Sequence, residues 1–198
     1  MPEQIILAEL TTTFQGEGLY RGLPIFLIRL AGCNLHCPWC DTDYSPRLVL
    51  TPDEIVEQCH QSDCPAILVT GGEPILQDLA WLERVDKFVM LETNGSLKIP
   101  KGLHVDWLNV SPKLYRPWDN EYAAIERANQ INFVITSGND LERLESELRK
   151  MPALAGKIVY LTPEWSRQNE ILKEIVTWKN RPPLWRLGIQ AHKIWRLP

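Results

Sequence analysis

Residues 32–42 read Gly32-Cys33-Asn34-Leu35-His36-Cys37-Pro38-Trp39-Cys40-Asp41-Thr42. Three thiols fall within eight residues, spaced CxxxCxxC, and the loop follows an apolar run, Pro24–Leu30, that reads as a strand. Cysteines crowded onto one loop indicate a metal centre rather than a disulfide framework, and the total of five is odd. Three arrangements suit these residues. Cys33, Cys37, Cys40 and His36 could hold zinc, although zinc sites usually pair ligands across two separated knuckles. The thiols could be buried and inert, which the surrounding Gly, Asn, Pro and Asp disfavour. A 4Fe-4S cubane normally takes four thiolates. With Cys33, Cys37 and Cys40 as three of them, the fourth iron is open to a small molecule, and this is the arrangement we expect. Cys59, late in an amphipathic helix pattern, and Cys64, before Pro65, read as structural.

Outward from this loop, short apolar runs alternate with helical patterns. Strands are expected at Ile5–Glu9, Ile25–Leu30, Ala66–Thr70, Phe88–Glu92, Val105–Val110, Ile131–Ile135, Ile158–Leu161 and Leu184–Ile189. Helices are expected at Thr51–Cys59, Gln77–Arg84, Glu121–Ala128, Asp140–Lys150 and Gln168–Lys179. Thr51, Pro52 and Glu54 form a capping-box signature at the first of these. Strands spaced by helices imply parallel βαβ units. The count favours an α/β fold that is an incomplete, TIM-like barrel with mostly parallel strands and few helices. In such folds the site forms on the loops leaving the strand C-termini. Gly71–Pro74, Thr93–Gly95 and Ser111–Lys113 fall there.

With 198 residues, the chain suits a single domain over residues 1–198, burying about 70% of its unfolded surface. A net charge of -4 argues against a duplex nucleic-acid or membrane-surface binder, which would use a basic face. No apolar run approaches the roughly 20 residues of a membrane span. Met1 to Leu10 lacks the basic start and apolar core of a signal peptide. The expected location is the cytoplasm, where thiols stay reduced.

The loop resembles the CxxxC-aromatic-xC loop of the radical S-adenosylmethionine (SAM) superfamily, with Trp39 as the aromatic. Thr70-Gly71-Gly72-Glu73-Pro74, about thirty residues on, is similar to that superfamily's GGEP motif. The resemblance implies a 4Fe-4S cluster whose open iron is chelated by SAM. It implies SAM contacts from Trp39, Cys40, Asp41, Gly72, Glu73, Ser111, Pro112 and Lys113, and from Thr162-Pro163, where many members carry Gln-Pro.

Within the superfamily the chain resembles the 7-carboxy-7-deazaguanine synthases. The match runs through Gln15-Gly16-Glu17-Gly18, the strand Gly22–Leu30, the cluster loop, Thr70–Pro74, Glu92-Thr93-Asn94-Gly95, Ser111–Lys113 and the terminal Gln190–Lys193. Ala191 stands where many members have Thr. The implied reaction contracts 6-carboxy-5,6,7,8-tetrahydropterin to 7-carboxy-7-deazaguanine with loss of ammonia, for queuosine and related deazapurines. Phe14, Gln15, Gly16, Glu17, Arg29, Thr70, His192 and Pro198 are then substrate contacts. Gln15 and Glu17 suit the pterin edge, Arg29 the carboxylate, and Thr42 a Mg²⁺ ion. Implied partners are an external, flavodoxin-like electron donor and a second copy in a homodimer, with no nucleic acid and no membrane. Glycyl-radical activases share the cysteine loop and remain an alternative, as does a non-catalytic iron–sulfur or zinc module. The nine residues after the last expected strand are too few for a helix of ordinary length. They are expected to fold over the barrel mouth as a lid, with the Trp195 ring excluding water.

Replacing Cys33, Cys37 or Cys40 with Ala should abolish SAM cleavage and lower the anaerobic iron content, whereas Cys59→Ala and Cys64→Ala should leave both unchanged. A Cys37→Ala protein that cleaved SAM at the normal rate would end the assignment.

Overall fold

A computed structural model describes residues 4–197. Nine strands form one sheet in the order β3-β1-β2-β4-β5-β6-β7-β8-β9. These are β1 (Ile5–Phe14), β2 (Pro24–Leu30), β3 (Leu48–Leu50), β4 (Ala66–Gly71), β5 (Phe88–Thr93), β6 (Trp107–Val110), β7 (Gln130–Ile135), β8 (Ile158–Pro163) and β9 (Arg186–Leu187). β1 runs antiparallel to β2 and β3, and every pairing from β2 to β9 is parallel. Among the described residues β3 and β9 are each paired on one side only, so the curved sheet is a partial barrel.

Parallel strands bury both faces, and alternation sorts the side chains between them. Phe26, Ile28, Leu30, Ile67, Val69 and Leu91 point outward into the larger core. That core also takes residues of α1 (Pro52–Gln61), α2 (Asn120–Arg127), α3 (Gly138–Lys150) and α4 (Gln168–Thr177). Ile25, Leu27, Ala66, Leu68 and Met90 point inward and plug the N-terminal end of the barrel, with Tyr20, Phe88 and Trp107 packed against them. Two residues further along β2, β4, β5 and β6 the inward position turns polar, at Arg29, Thr70, Glu92 and Asn109, and β7 adds Asn132. The hydrophobic plug thus stops short of the strand C-termini and leaves a polar bowl there.

The capping box at Thr51 forms as expected. Its side chain accepts from the Glu54 N–H, and the Glu54 carboxylate accepts from Thr51 N at 2.7 Å. Cys59 and Cys64 are buried and unpaired. Burial pushes the Cys59 thiol up to about 12, which leaves it inert.

Elsewhere the expectation is corrected. Gln77–Arg84 is not an α-helix but lies between and within two 3-10 turns, Pro74–Leu76 and Ala80–Arg84. The Gln77 side chain instead bonds the backbone of Ile6 and Ala31, and Asp78 caps Ala80 N, so local bonds compete with the helix. β1 extends to Phe14 through three threonines, which are β-branched and fit a pleated surface. β3, which was not anticipated, covers the edge of β1. The last strand shrinks to Arg186–Leu187, and residues 191–195 form a short helix, α5 (Ala191–Trp195).

Candidate active site

Gly32, at φ 82°, turns β2 into the cysteine loop. Gly72 N donates to Leu30 O at 3.2 Å, and Glu73 N to Gly32 O at 2.9 Å. A side chain on Gly72 would strike the Gly32 carbonyl and come within 2.8 Å of Cys33 Cβ. The two glycine-rich segments therefore lie against each other, and Cys33, Cys37 and Cys40 line one cavity beside them. Cys33 Sγ accepts from Leu35 N at 3.4 Å, and Cys37 Sγ lies 3.8 Å from the Tyr115 hydroxyl. Burial raises the Cys33 thiol, and Glu73, Cys37 and Cys40 add to the rise. Among the described residues no three His, Cys, Asp or Glu side chains converge on a single-ion position. His36 is exposed. Three thiolates on one loop facing a cavity are the donor set that would hold a 4Fe-4S cubane with one iron left open.

The same cavity is walled by Trp39, Asp41, Gly72, Ser111 and Lys113. Lys113 Nζ donates to Ser111 Oγ at 2.9 Å, and the Trp39 ring meets Tyr115 edge-on at 5.4 Å. Other expected SAM contacts stand behind the wall. Glu73 is 0% exposed and accepts from Thr93 Oγ1, Asn94 N and Ile75 N at 2.7, 2.7 and 3.1 Å. Pro112 is buried under the wall. Thr162 is buried on the inner face of the barrel, where it donates to Asn132 Oδ1 at 2.7 Å, and Pro163 ends the strand. The next two residues, Glu164 and Trp165, reach the cavity instead.

A second cavity of about 420 Å³ adjoins the first and shares Glu17, Asp41, Thr42, Thr70 and Glu92 with it. Phe14, Gln15, Gly16, Arg29 and His192 of the expected set also line it. Gln15 Nε2 donates to Glu92 Oε1 at 3.1 Å, and Gln15 Oε1 accepts from Glu17 N at 3.2 Å. Glu17 is gripped by Asn132 at 2.7 Å and Gln190 at 3.2 Å. Thr70 and Asn109 both donate to Glu92, each at 3.4 Å. Asn109 Oδ1 is buried without a partner among the described residues. Burial, then the charge of Glu92, pushes the Glu17 carboxyl up to about 7.

The tail closes over this bowl. Ala191 N donates to Gly16 O at 2.9 Å, and a side chain on Gly16 would come within 2.8 Å of His192 Cβ. Lys193 forms an ion pair with Asp41 of the cysteine loop and sits over the Trp165 ring at 5.5 Å. Burial lowers the His192 imidazole, helped by Lys193 and Arg29 and opposed by Asp41. The 3.9 Å contact between His192 and Glu17 is thus between two groups that burial drives toward neutrality. The expected role of Trp195 is corrected: it is 52% exposed and absent from both cavities, while Trp165 and Leu197 line them. A five-residue helix turns Trp195 to solvent while presenting His192 inward. Pro198 lies outside the described residues.

Asn109 and Asn132 are site residues that the sequence reading does not include, while Glu92, Asn94, Gln190 and Lys193 enter it only as members of the Glu92–Gly95 and Gln190–Lys193 motifs, without individual roles. Asn109 and Asn132 were nevertheless visible as polar residues inside apolar strands, and a buried polar group is the informative exception.

The raised Glu17 carboxyl has a definite sign. Its folded value exceeds its unfolded one, so it weakens the fold as pH rises from about 4.5 toward 7. Replacing Glu17 with Gln should remove that slope, with a relative gain of about 3 kcal/mol at pH 8 over pH 4. Urea unfolding at the two pH values measures it, and parallel profiles for both proteins would refute the burial.

A radical SAM superfamily model matches residues 27–175. A 7-carboxy-7-deazaguanine synthase from Synechocystis is 34% identical, covering 94% of this chain and 90% of its own. One from Flavobacterium psychrophilum is 33% identical, covering 99% and 94%. The crystal structure of QueE from Escherichia coli superposes with a TM-score of 0.76 at 27% identity, over 96% of this chain and 95% of that one. The open parallel barrel, the cysteine loop pressed against the glycine turn, and these likenesses together mean that the chain belongs to the radical SAM superfamily and, within it, to the 7-carboxy-7-deazaguanine synthase family.

Proposed function

We propose that this chain converts 6-carboxy-5,6,7,8-tetrahydropterin to 7-carboxy-7-deazaguanine with loss of ammonia, in queuosine and deazapurine biosynthesis. The observation that carries the reading is the adjacency of two cavities: one walled by the three cysteines, the other by Gln15, Glu17, Arg29 and Thr70. The cluster and SAM, when bound, supply one-electron chemistry that removes a hydrogen atom from the substrate and can return one. Product and ammonia together hold all the substrate's atoms, so no net oxidation occurs and SAM need not be consumed.

The chain's own residues bind, orient and exclude water. Cys33, Cys37 and Cys40 hold the cluster, and Trp39, Asp41, Gly72, Ser111 and Lys113 face SAM. Glu73 acts beneath them by fixing the loop at Thr93 and Asn94. Gln15 and Glu17 read the amino-oxo edge of the pterin, Glu17 being pre-aimed by Asn132 and Gln190. Thr70 bonds a ring atom. Arg29 forks onto the carboxylate, and His192 approaches it from the tail. Thr42, on the wall common to both cavities, offers its hydroxyl to a Mg²⁺ ion completed by substrate oxygens and water. The clasp of α5 over Gly16 favours a small substrate over the polypeptide that an activase requires. Among the described residues no helix is long and apolar enough to cross a membrane. A cytoplasmic setting, a flavodoxin-like donor and a homodimer complete the proposal.

Anaerobic incubation of reconstituted protein with dithionite, SAM, Mg²⁺ and carboxytetrahydropterin should yield 7-carboxy-7-deazaguanine and ammonia in excess of the SAM consumed. Thr42→Ala should lower the stimulation by Mg²⁺ without loss of iron. If SAM is cleaved but no deazaguanine appears, the substrate assignment fails.

A further inference from the structure

Arg29 and Glu9 face each other across the β1–β2 ladder, and Arg29 Nε donates to Glu9 Oε2 at 2.8 Å. Both line the second cavity, and their side chains are 18% and 31% exposed. Among the described residues this is the only partner of Arg29, so Nη1 and Nη2 are uncommitted.

A backbone irregularity makes this contact. From Leu30 to Arg29 the register steps by one residue on β2, while β1 steps by two, from Leu7 to Glu9. Ala8 is the extra residue of a bulge. Strict alternation would put Leu7 on the same face as Glu9, Thr11 and Thr13. With the bulge, Ile5 and Leu7 stay in the outer core at 1% and 0% exposure, while Glu9 remains on the cavity face. The strand thus serves two layers, and the residue it delivers to the cavity meets Arg29.

On the reading of this cavity as the pterin site, we propose that Glu9 is the positioning residue for substrate recognition: it holds the Arg29 guanidinium by Nε and turns the Nη1/Nη2 pair toward the substrate carboxylate. A carboxylate can meet a guanidinium side-on, through Nε and one Nη, or end-on, through both Nη groups. Glu9 occupies the side-on edge. Only the end-on approach remains, which sets where the carbon bearing the carboxylate sits above the Leu27 and Leu68 floor. Glu9 touches neither substrate nor cofactor, and it acts through Arg29. A bare charge-compensating role predicts a different outcome, because removing Glu9 would leave Arg29 more attractive to an anion.

The test is anaerobic calorimetric titration of SAM-loaded holoenzyme with 6-carboxypterin and with pterin, which lacks the carboxylate. The wild type should prefer 6-carboxypterin. Glu9→Ala should weaken 6-carboxypterin at least tenfold and leave pterin within about threefold of wild type. Glu9→Gln keeps an acceptor for Nε and should restore most of the preference. Three results would overturn the proposal: undiminished or tighter binding of 6-carboxypterin by Glu9→Ala, an equal loss in Glu9→Gln, or parallel loss of both ligands. A wild type that binds neither pterin, or both equally, would instead sink the assignment of the cavity itself.

Discussion

The Glu73 carboxylate is the constraint around which the rest is arranged. It has no access to solvent, and burying a carboxylate costs several kcal/mol unless donors offset it. Three donors do so, from Thr93, Asn94 and its own turn at Ile75. Burial still raises its carboxyl, so the grip is needed. The consequence is geometric. The end of β5 is locked to the turn after β4, and Asn94 passes the restraint on by donating to Asn34 Oδ1 at 3.1 Å in the cysteine loop. Asn34 in turn donates to Ser96 Oγ at 2.9 Å. The loop that carries the thiols is thus fastened to two parallel strands by charge-assisted and neutral hydrogen bonds.

Above this framework the bowl is a balance of carboxylates and amides. Glu9, Glu17 and Glu92 line the second cavity, and Arg29, Arg47 and Lys193 line it with positive charge. Burial is the main reason that Glu17 titrates near neutrality, and the charge of Glu92 adds to it. Gln15, Asn109, Asn132 and Gln190 hold the carboxylates in place, and each amide comes from a different element. Preorganised groups of this kind spare the reorganisation that binding would otherwise require.

The tail ties the halves together. Its backbone bonds Gly16, Gln190 holds Glu17, and Lys193 pairs with Asp41 beside Cys40. Closure over the second cavity is therefore linked to the conformation of the cysteine loop that walls the first. A site that must exclude water benefits from that link.

The amino-acid sequence by itself determined what is local. The spacing of Cys33, Cys37 and Cys40, the glycine turn after β4, the capping box at Thr51 and the strand–helix alternation each depend on residues within one turn or one strand, so they are legible by counting. Tertiary structure decided what depends on register and on distant partners. Glu92, Asn109 and Asn132 share the bowl with Thr70 because four parallel strands align their inward positions, and no local pattern encodes that alignment. Gln77 leaves a helical pattern because Ile6 and Ala31, 71 and 46 residues away, offer it backbone bonds. The bulge at Ala8 puts Glu9 opposite Arg29 because β1 must serve two layers at once. Gln190 meets Glu17 across 173 residues, and the short helix that brings it there turns His192 inward and Trp195 out. Contacts between residues so far apart follow from the order in which the sheet is assembled.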